Sequence, residues 1–448
     1  MASTSWAGGT MPAKRSGPAL TPSPFDNAKL ERLEAMTPLE EAAEAAAKLL
    51  VFREICAHPL ALTWQELTQE LMSGDPLPCW RAYGRWFELL AQEGLSWREW
   101  LIREIRWADN PFSRAALRPQ GIPDPLVQAA RHDLRCLQIL SDSQETIAEQ
   151  MRALGLGIPW PDGEGESPGW DPRSFADWGL SLEALIAHYR RAGVGLCGRY
   201  WAFRWGPAGL EGIPTPDLPD WEEIYGYERQ KRQLAANTEA LLRGDPALHV
   251  LLYGARGTGK SSLVKALLRR YGSQGLRLLE LRRGDLGQLP QILADLGGWG
   301  LPFVLFVDDL SFEADETEFK QLKVLLEGDL VPPPPNVRLY ATSNRRHLIR
   351  EFFGDRPSPQ DQEVHAWDTV QEKLSLRDRF GLTLTFTPFS QADYLATVEH
   401  LAQRLGLPHP LDTLRRQALL WAQQQNGFSG RTARQFLHAL QAGLVEVG

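Results

Sequence analysis

Apolar residues recur at helical spacing through most of the first half of the chain. Leu30, Leu33 and Met36 begin this pattern, in which residues three or four positions apart share one face of a helix. Similar stretches follow at residues 64–72, 81–106, 125–154 and 181–204. The pattern predicts an all-helical domain over residues 28–205.

Tryptophan is concentrated before residue 221, where 12 of the 16 tryptophans of the chain lie. Trp86, Trp97 and Trp100 fall on apolar positions of the predicted helices. Large aromatic side chains at such positions usually anchor a core. We therefore interpret them as core residues rather than as a cage for a ligand.

Three segments rich in proline and glycine interrupt the pattern. Residues 1–27 lack periodicity and are predicted to be a disordered tail, and residues 155–173 are predicted to be a loop. Residues 206–220 are predicted to link the helical domain to the second half of the chain.

A short apolar run, Val250 to Tyr253, leads directly into a glycine-rich motif and then into a helical stretch. The motif matches the P-loop pattern G-x-x-x-x-G-K-[ST] at every fixed position, and its N–H groups are expected to cradle phosphate oxygens. Lys260 would contact the β- and γ-phosphates of ATP, and the Ser261 hydroxyl would be a ligand of Mg²⁺. The predicted phosphate-binding residues are Gly254, Ala255, Arg256, Gly257, Thr258, Gly259, Lys260, Ser261 and Ser262.

A second apolar run, residues 303–307, ends in Asp308 and Asp309. This is the pattern of a Walker B strand, buried in a parallel sheet and ending in acids. Asp308 is predicted to hold Mg²⁺, directly or through water, and Asp309 to polarise the attacking water. An aspartate reaches less far than a glutamate, so slow hydrolysis or help from Glu313 is an open alternative.

A third strand-like run, residues 336–342, ends near Asn344. A polar residue at the tip of a strand between the P-loop and Walker B strands can orient the water beside the γ-phosphate, and Asn344 is predicted to do so. Arg345, Arg346 and His347 could contact phosphate, a neighbouring subunit or only solvent.

Two arginine positions remain. Arg379 precedes a predicted last strand, residues 382–386, and is predicted to be an arginine finger that acts on the ATP of a neighbouring subunit, with Arg377 as the alternative. Arg431 begins a C-terminal helix and is predicted to contact the γ-phosphate as a second sensor, in preference to Arg434.

Taken in this order and spacing, these motifs resemble an AAA+ ATPase. The segments Gly226 to Lys231, Leu310 to Phe312 and Thr342 to Leu348 are similar to those of a bacterial AAA+ family catalogued as a domain of unknown function. The resemblance implies that Tyr227 contacts adenine. Asp309 departs from the glutamate of ordinary AAA+ proteins.

The resemblance also implies the fold. We expect an α/β P-loop NTPase domain of the AAA+ type over residues 221–389, with a parallel five-stranded sheet and helices on both faces. A small helical lid is expected over residues 390–448.

Composition narrows the choice of partners. The net charge is −8, and all of the excess acid lies before residue 221, where 29 acidic residues accompany 21 basic ones. This balance removes the usual electrostatic reason to expect nucleic acid. No apolar run is long enough to span a bilayer and no secretory signal is recognisable, so the sequence predicts a cytoplasmic protein. The 4 cysteines form no C-x-x-C pair and are predicted to be buried thiols.

Three functions fit the motifs. The first is an ATPase that works as a homo-oligomeric ring and uses hydrolysis to remodel or assemble a partner held by the helical domain. The second is an ATP-dependent switch or adaptor that recruits a partner with little turnover. A P-loop kinase is disfavoured because a single-site phosphotransferase needs neither sensors nor a finger. The segment Arg282 to Gln288, after the second strand of the sheet, lacks the aromatic residue of protein-threading rings, which argues against an unfoldase.

Overall fold

The computed structural model describes residues 36–118, 120–156, 169–310, 322, 325–326, 333–344, 379–407, 410–425 and 427–445. The predicted tail at residues 1–27 lies outside this part of the chain, as do Glu313, Arg377 and residues 345–347.

Eight helices form the N-terminal part of the described chain, which we call the helical domain. They are α1 (Pro38–Ala47), α2 (Pro59–Ser73), α3 (Pro76–Glu93), α4 (Trp97–Trp107), α5 (Pro111–Ala116), α6 (Asp124–Ala153), α7 (Leu182–Ala192) and α8 (Gly195–Arg199). Several begin with a capping side chain, as Ser96 does for α4 by accepting from the N–H of Glu99. Gly74 and Gly94 end α2 and α3 in the left-handed conformation that glycine adopts without strain.

Tryptophans fill the centre of the helical domain. The Trp97 ring stacks between the rings of Trp64 and Trp100, with centroids at 5.5 and 5.2 Å, and the Trp86 ring meets it edge-on. All four side chains are fully buried. The interpretation of Trp86, Trp97 and Trp100 as core residues is confirmed.

After the helical domain in sequence, seven strands of the described chain form one sheet. They are β1 (Ala202–Gly206), β2 (Gly209–Ile213), β3 (Val250–Gly254), β4 (Arg277–Leu281), β5 (Phe303–Val307), β6 (Val337–Ser343) and β7 (Leu382–Phe386). Their order is β2-β1-β4-β5-β6-β3-β7, and only the β1–β2 pair is antiparallel. Strand β6 lies between β3 and β5, as predicted for the strand that carries Asn344.

The sheet therefore has two strands more than the five expected. The predictions of a helical stretch up to residue 204 and of a linker from residue 206 are wrong between residues 202 and 213, which form the β1–β2 hairpin. These strands are short and glycine-rich, and β1 obtains its pairing from β4, which is remote in sequence. Such pairing leaves no mark in the local pattern.

We name six further helices of the described chain, three that accompany the sheet and three that follow it. The first set is α9 (Glu228–Arg243), α10 (Lys260–Tyr271) and α11 (Leu289–Gly297). The second set is α12 (Gln391–Arg404), α13 (Leu411–Gln424) and α14 (Gly430–Gln441), which pack around their own apolar core and form the lid.

A buried arginine joins the helical domain to the sheet. Arg277 begins β4 and is only 1% exposed. Its guanidinium donates to the carbonyls of Ala192 and Cys197 in the helical domain, and to those of Gly272 and Leu276. Burial lowers the pKa of Arg277 to about 10. These hydrogen bonds compensate for the burial of the charge, and they connect the helical domain to the sheet.

The described helices include none with the length and apolar character that a membrane crossing requires. Cys79, Cys136 and Cys197 are buried thiols, as predicted, whereas Cys56 is half-buried.

Candidate nucleotide-binding site

The glycine-rich loop connects the end of β3 to the start of α10. Gly254 has φ 146°, and a Cβ there would lie 1.9 Å from the carbonyl oxygen of Phe386 in the neighbouring strand. Gly257 and Gly259 also have positive φ, at 76° and 88°. The first N–H groups of α10 have no partner within the helix, so the loop presents donors for an anion.

Lys260 is the only lysine among the residues that line the cavity described below. Its ammonium donates to the carbonyls of Gly254 and Ala255, at 3.0 and 2.7 Å, and to Oδ1 of Asn344 at 3.0 Å. Burial lowers the pKa of Lys260 to about 8, although Asp308 and Asp309 oppose this shift. A phosphate anion would supply the full negative charge that the carbonyls do not, so the donor set fits a nucleotide.

Asp308 follows β5 and is exposed to the cavity. Its Oδ1 accepts from the Ser261 hydroxyl at 2.6 Å, from the Thr342 hydroxyl at 2.5 Å and from the N–H of Asp309 at 3.1 Å. The predicted Mg²⁺ ligands Ser261 and Asp308 are thus brought together. Hydroxyl and carboxylate oxygens are ligands that suit Mg²⁺.

Asp309 has φ 50°, which is rare for a residue with a side chain. Its Oδ1 accepts from Nδ2 of Asn344 at 2.7 Å. Asn344 therefore bridges the Lys260 ammonium and the Asp309 carboxylate. Strained backbone of this kind is concentrated at functional sites.

A cavity of about 570 Å³ contains these groups. Arg256, Thr258, Ser262 and the polar side chains named above line it, together with the apolar residues Ile224, Tyr225, Phe389 and Leu401. A lining that combines polar and apolar side chains suits the phosphates and the base of a nucleotide.

Tyr227 is not among the residues that line this cavity. Its hydroxyl donates to the carbonyl of Thr387 at 2.6 Å, and its ring packs on those of Phe386 and Phe389. Sequence reasoning missed Ile224 and Tyr225, which precede it and do line the cavity. Tyr227 itself has φ 56° and precedes the first residue of α9.

The lid touches the glycine-rich loop directly. The N–H of Gly430, at the start of α14, donates to the carbonyl of Gly257 at 3.0 Å. Arg431 and Arg434 both line the cavity, but Arg434 forms an ion pair with Glu223 at 3.1 Å. Arg431 is exposed there, which favours it over Arg434 as the phosphate contact.

Arg379 precedes β7, the last strand at one edge of the sheet. It is half-buried and is not among the residues that line the cavity of its own chain. The cavity therefore brings together Asp309, Asn344 and Arg431 but not Arg379.

Thr342 and Glu223 also line the cavity and were missed by sequence reasoning. Thr342 lies in the Thr-Ser-Asn run that led to Asn344, and its hydroxyl at the end of a buried strand was the available signal. The partner of Glu223 lies in the lid, so no local pattern reveals this ion pair.

The sequence is similar to those of proteasome-activating nucleotidases and of proteasome regulatory subunits. The proteasome-activating nucleotidase of Methanocella arvoryzae is 28% identical over 166 residues, which are 32% of this chain and 40% of the relative. The 26S proteasome regulatory subunit 6B homolog of Schizosaccharomyces pombe is 26% identical over 228 residues, 43% of this chain and 58% of the relative. The chain spans about two-fifths of the length of the proteasome-activating nucleotidases that it matches.

Two solved structures are also similar. The Thermotoga maritima RuvB Holliday junction branch migration motor matches with a TM-score of 0.30 at 16% identity, over 49% of this chain and 72% of that chain. The Aeropyrum pernix Orc1 protein in complex with DNA matches with a TM-score of 0.37 at 15% identity, over 52% of this chain and 63% of that chain.

One family model covers the nucleotide site, the lid and the β1–β2 hairpin. The family described as "Protein of unknown function (DUF815)" matches residues 198–444, more than half of the 448 residues. The predicted resemblance to AAA+ proteins is confirmed by this match and by the nucleotidase relatives. The chain belongs to the DUF815 family, and its fold is that of an AAA+ P-loop protein.

Proposed function

We propose that this protein binds ATP with Mg²⁺ and hydrolyses it. The observation that carries the proposal is the convergence of one ammonium, two carboxylates and one amide on a single cavity beside a glycine-rich loop. Lys260, Asp308, Asp309 and Asn344 supply these groups from the ends of three neighbouring strands.

Each group has a role in phosphoryl transfer. The loop N–H groups and Lys260 bind the phosphates, while Ser261 and Asp308 hold Mg²⁺, which neutralises phosphate charge. The Asp309 carboxylate accepts a proton from the attacking water, and the Asn344 amide fixes the orientation of that carboxylate. Arg431 reaches the γ-phosphate from the lid.

The proposal includes an oligomer. Arg379 lies at the β7 edge of the sheet and is not among the residues that line its own cavity, which supports a role towards the ATP of a neighbouring copy. A guanidinium donates several hydrogen bonds in a fixed geometry to the charge that develops on the phosphoryl group. We propose that the copies assemble as a ring and that Arg379 completes the site between them.

Hydrolysis would remodel or assemble a protein partner held by the helical domain. The segment Arg282 to Gln288 follows β4 and contains no aromatic residue, so we do not propose that the ring threads polypeptides.

One observation favours a second function, an ATP-dependent switch with little turnover. Asp309 is one methylene shorter than glutamate, and Asn344 already occupies one of its oxygens. If the carboxylate fails to reach the water, ATP binding alone would order the oligomer that recruits the partner.

Titration of Lys260→Ala with ATP and Mg²⁺ in a calorimeter tests the proposed site. Loss of a charged donor to phosphate should weaken binding by about 10- to 150-fold, because a hydrogen bond to a charged group contributes about 1.5–3 kcal/mol. Lys265→Ala is the matched control, since this lysine of the same helix pairs with Glu280 at 3.7 Å instead. Equal affinity of Lys260→Ala and the wild type would refute ATP binding at this loop. Release of phosphate by the wild type then separates the ATPase from the switch.

A further inference from the structure

Thr342 forms three hydrogen bonds with the Walker B segment, residues 308–310. It lies in β6, is 2% exposed and borders the cavity. Its hydroxyl donates to Oδ1 of Asp308 at 2.5 Å and accepts from the N–H of Asp309 at 2.9 Å. Its carbonyl accepts from the N–H of Leu310 at 2.7 Å.

These bonds act on the two carboxylates in different ways. Oδ1 of Asp308 already accepts from Ser261 and from the Asp309 N–H, so the Thr342 hydroxyl completes a set of three donors on one oxygen. This set fixes the plane of the carboxylate and leaves its other oxygen for a ligand in the cavity. The bond to the Asp309 N–H holds that residue at φ 50°, a conformation that needs support from its surroundings.

We propose that Thr342 is a positioning residue for Mg²⁺ and for the Asp309 carboxylate. It touches neither the nucleotide phosphates nor the water, and it acts by orienting the groups that do. A hydroxyl suits this position because it donates one hydrogen bond and accepts another at once. This inference rests on the proposed function.

The test compares Thr342→Val, Thr342→Ala and Thr342→Ser with the wild type. A calorimeter measures the binding of a non-hydrolysable ATP analogue in EDTA and again in Mg²⁺. Valine keeps the shape of threonine but loses the hydroxyl, and serine keeps the hydroxyl. Removal of groups that orient metal ligands typically costs 10–100-fold in metal affinity.

We therefore expect Mg²⁺ to tighten binding in the wild type and in Thr342→Ser. In Thr342→Val and Thr342→Ala this gain should shrink by about 10-fold or more. Affinity in EDTA should stay within about twofold of the wild type, because Lys260 and the glycine-rich loop are unchanged.

Three outcomes overturn the inference. A folded valine or alanine variant with the full Mg²⁺ gain removes the positioning role, and an equal loss in EDTA and in Mg²⁺ assigns Thr342 to the core. A wild type that binds no analogue refutes the proposed function, and the inference with it. Thermal unfolding in EDTA shows which variants are folded, and if valine is not, the alanine and serine variants decide.

Discussion

Buried charged groups have different kinds of hydrogen-bond partner in the helical domain and at the nucleotide site. In the helical domain, the fully buried Asp133 carboxylate accepts from three successive N–H groups, those of Leu50, Val51 and Phe52. At the nucleotide site, the Lys260 ammonium has carbonyl and amide oxygens but no carboxylate among its hydrogen-bond acceptors. The first arrangement is complete without a ligand, and the second is suited to receive one.

Backbone strain follows the same division. Within the described chain, Tyr227 and Asp309 are the two residues other than glycine with positive φ. Both lie close to the nucleotide site, and neither belongs to the helical domain. Conformations of this kind persist where the surrounding structure enforces them, often at sites of chemistry. Backbone strain at residues other than glycine thus lies near the ligand site and not in the helical domain, within the described chain.

The largest expected effect is on turnover in Arg379→Ala. An arginine finger contributes about 10³ to 10⁵ in rate, so this variant should bind ATP but release almost no phosphate. A mixture with Lys260→Ala should recover part of the activity, because one copy then supplies an intact loop and the other a finger. Phosphate release, measured at several protein concentrations, checks this. Turnover per chain that is independent of concentration would contradict the finger.

Asp309→Asn should abolish the chemical step while ATP binding persists. A carboxylate that accepts the proton of the water contributes about 10² to 10⁴ in rate. Asn344→Ala should resemble it, because the amide orients Asp309. Parallel calorimetry and phosphate release separate the two effects. A dissociation constant that rises as much as the rate falls would show that Asp309 serves binding instead.

Trp97→Ala should have the converse effect, on stability alone. The Trp97 indole is fully buried between two others and donates to the carbonyl of Leu140 at 2.9 Å. Truncation of such a side chain costs about 3–5 kcal/mol in the free energy of unfolding. Denaturant titration measures this loss, with the exposed Trp80→Ala as the control. A large change in the ATP affinity of the folded variant would break the division between the two regions.

The smallest expected effect is a pH dependence of ATP binding. Burial lowers the pKa of Lys260 to about 8, so its charged form is lost as pH rises through that value in the free protein. Bound phosphates favour the charged form, and binding should therefore take up a proton near pH 8 and weaken by about tenfold per pH unit above it. Calorimetry in two buffers of different ionisation enthalpy detects the uptake. A flat profile in the wild type would contradict it, and Lys260→Arg should be flat.

The sequence predicted those parts of the site that depend on contiguous residues. The glycine-rich loop needs glycines at fixed positions, and the Walker B strand is a buried run ending in acids, so both could be recognised without the fold. The β1–β2 hairpin could not, because β1 is stabilised by β4. The same holds for Ile224 and Tyr225, which line the cavity with residues that are remote in sequence, such as Phe389 and Leu401.

The hydrogen bonds of Arg277 have a mechanical consequence. Strand β1 is part of the nucleotide-binding sheet. The Arg277 guanidinium, at the start of β4, donates to the last residue of α7 and to the middle of α8. Because β1 and β4 belong to one sheet, a displacement of the sheet is transmitted to the helical domain and is not absorbed by a flexible linker. Any rotation of the sheet against its neighbours would therefore swing the helical domain through an arc that grows with its distance from the axis. The rigidity of this junction would thus set how closely the helical domain follows the sheet.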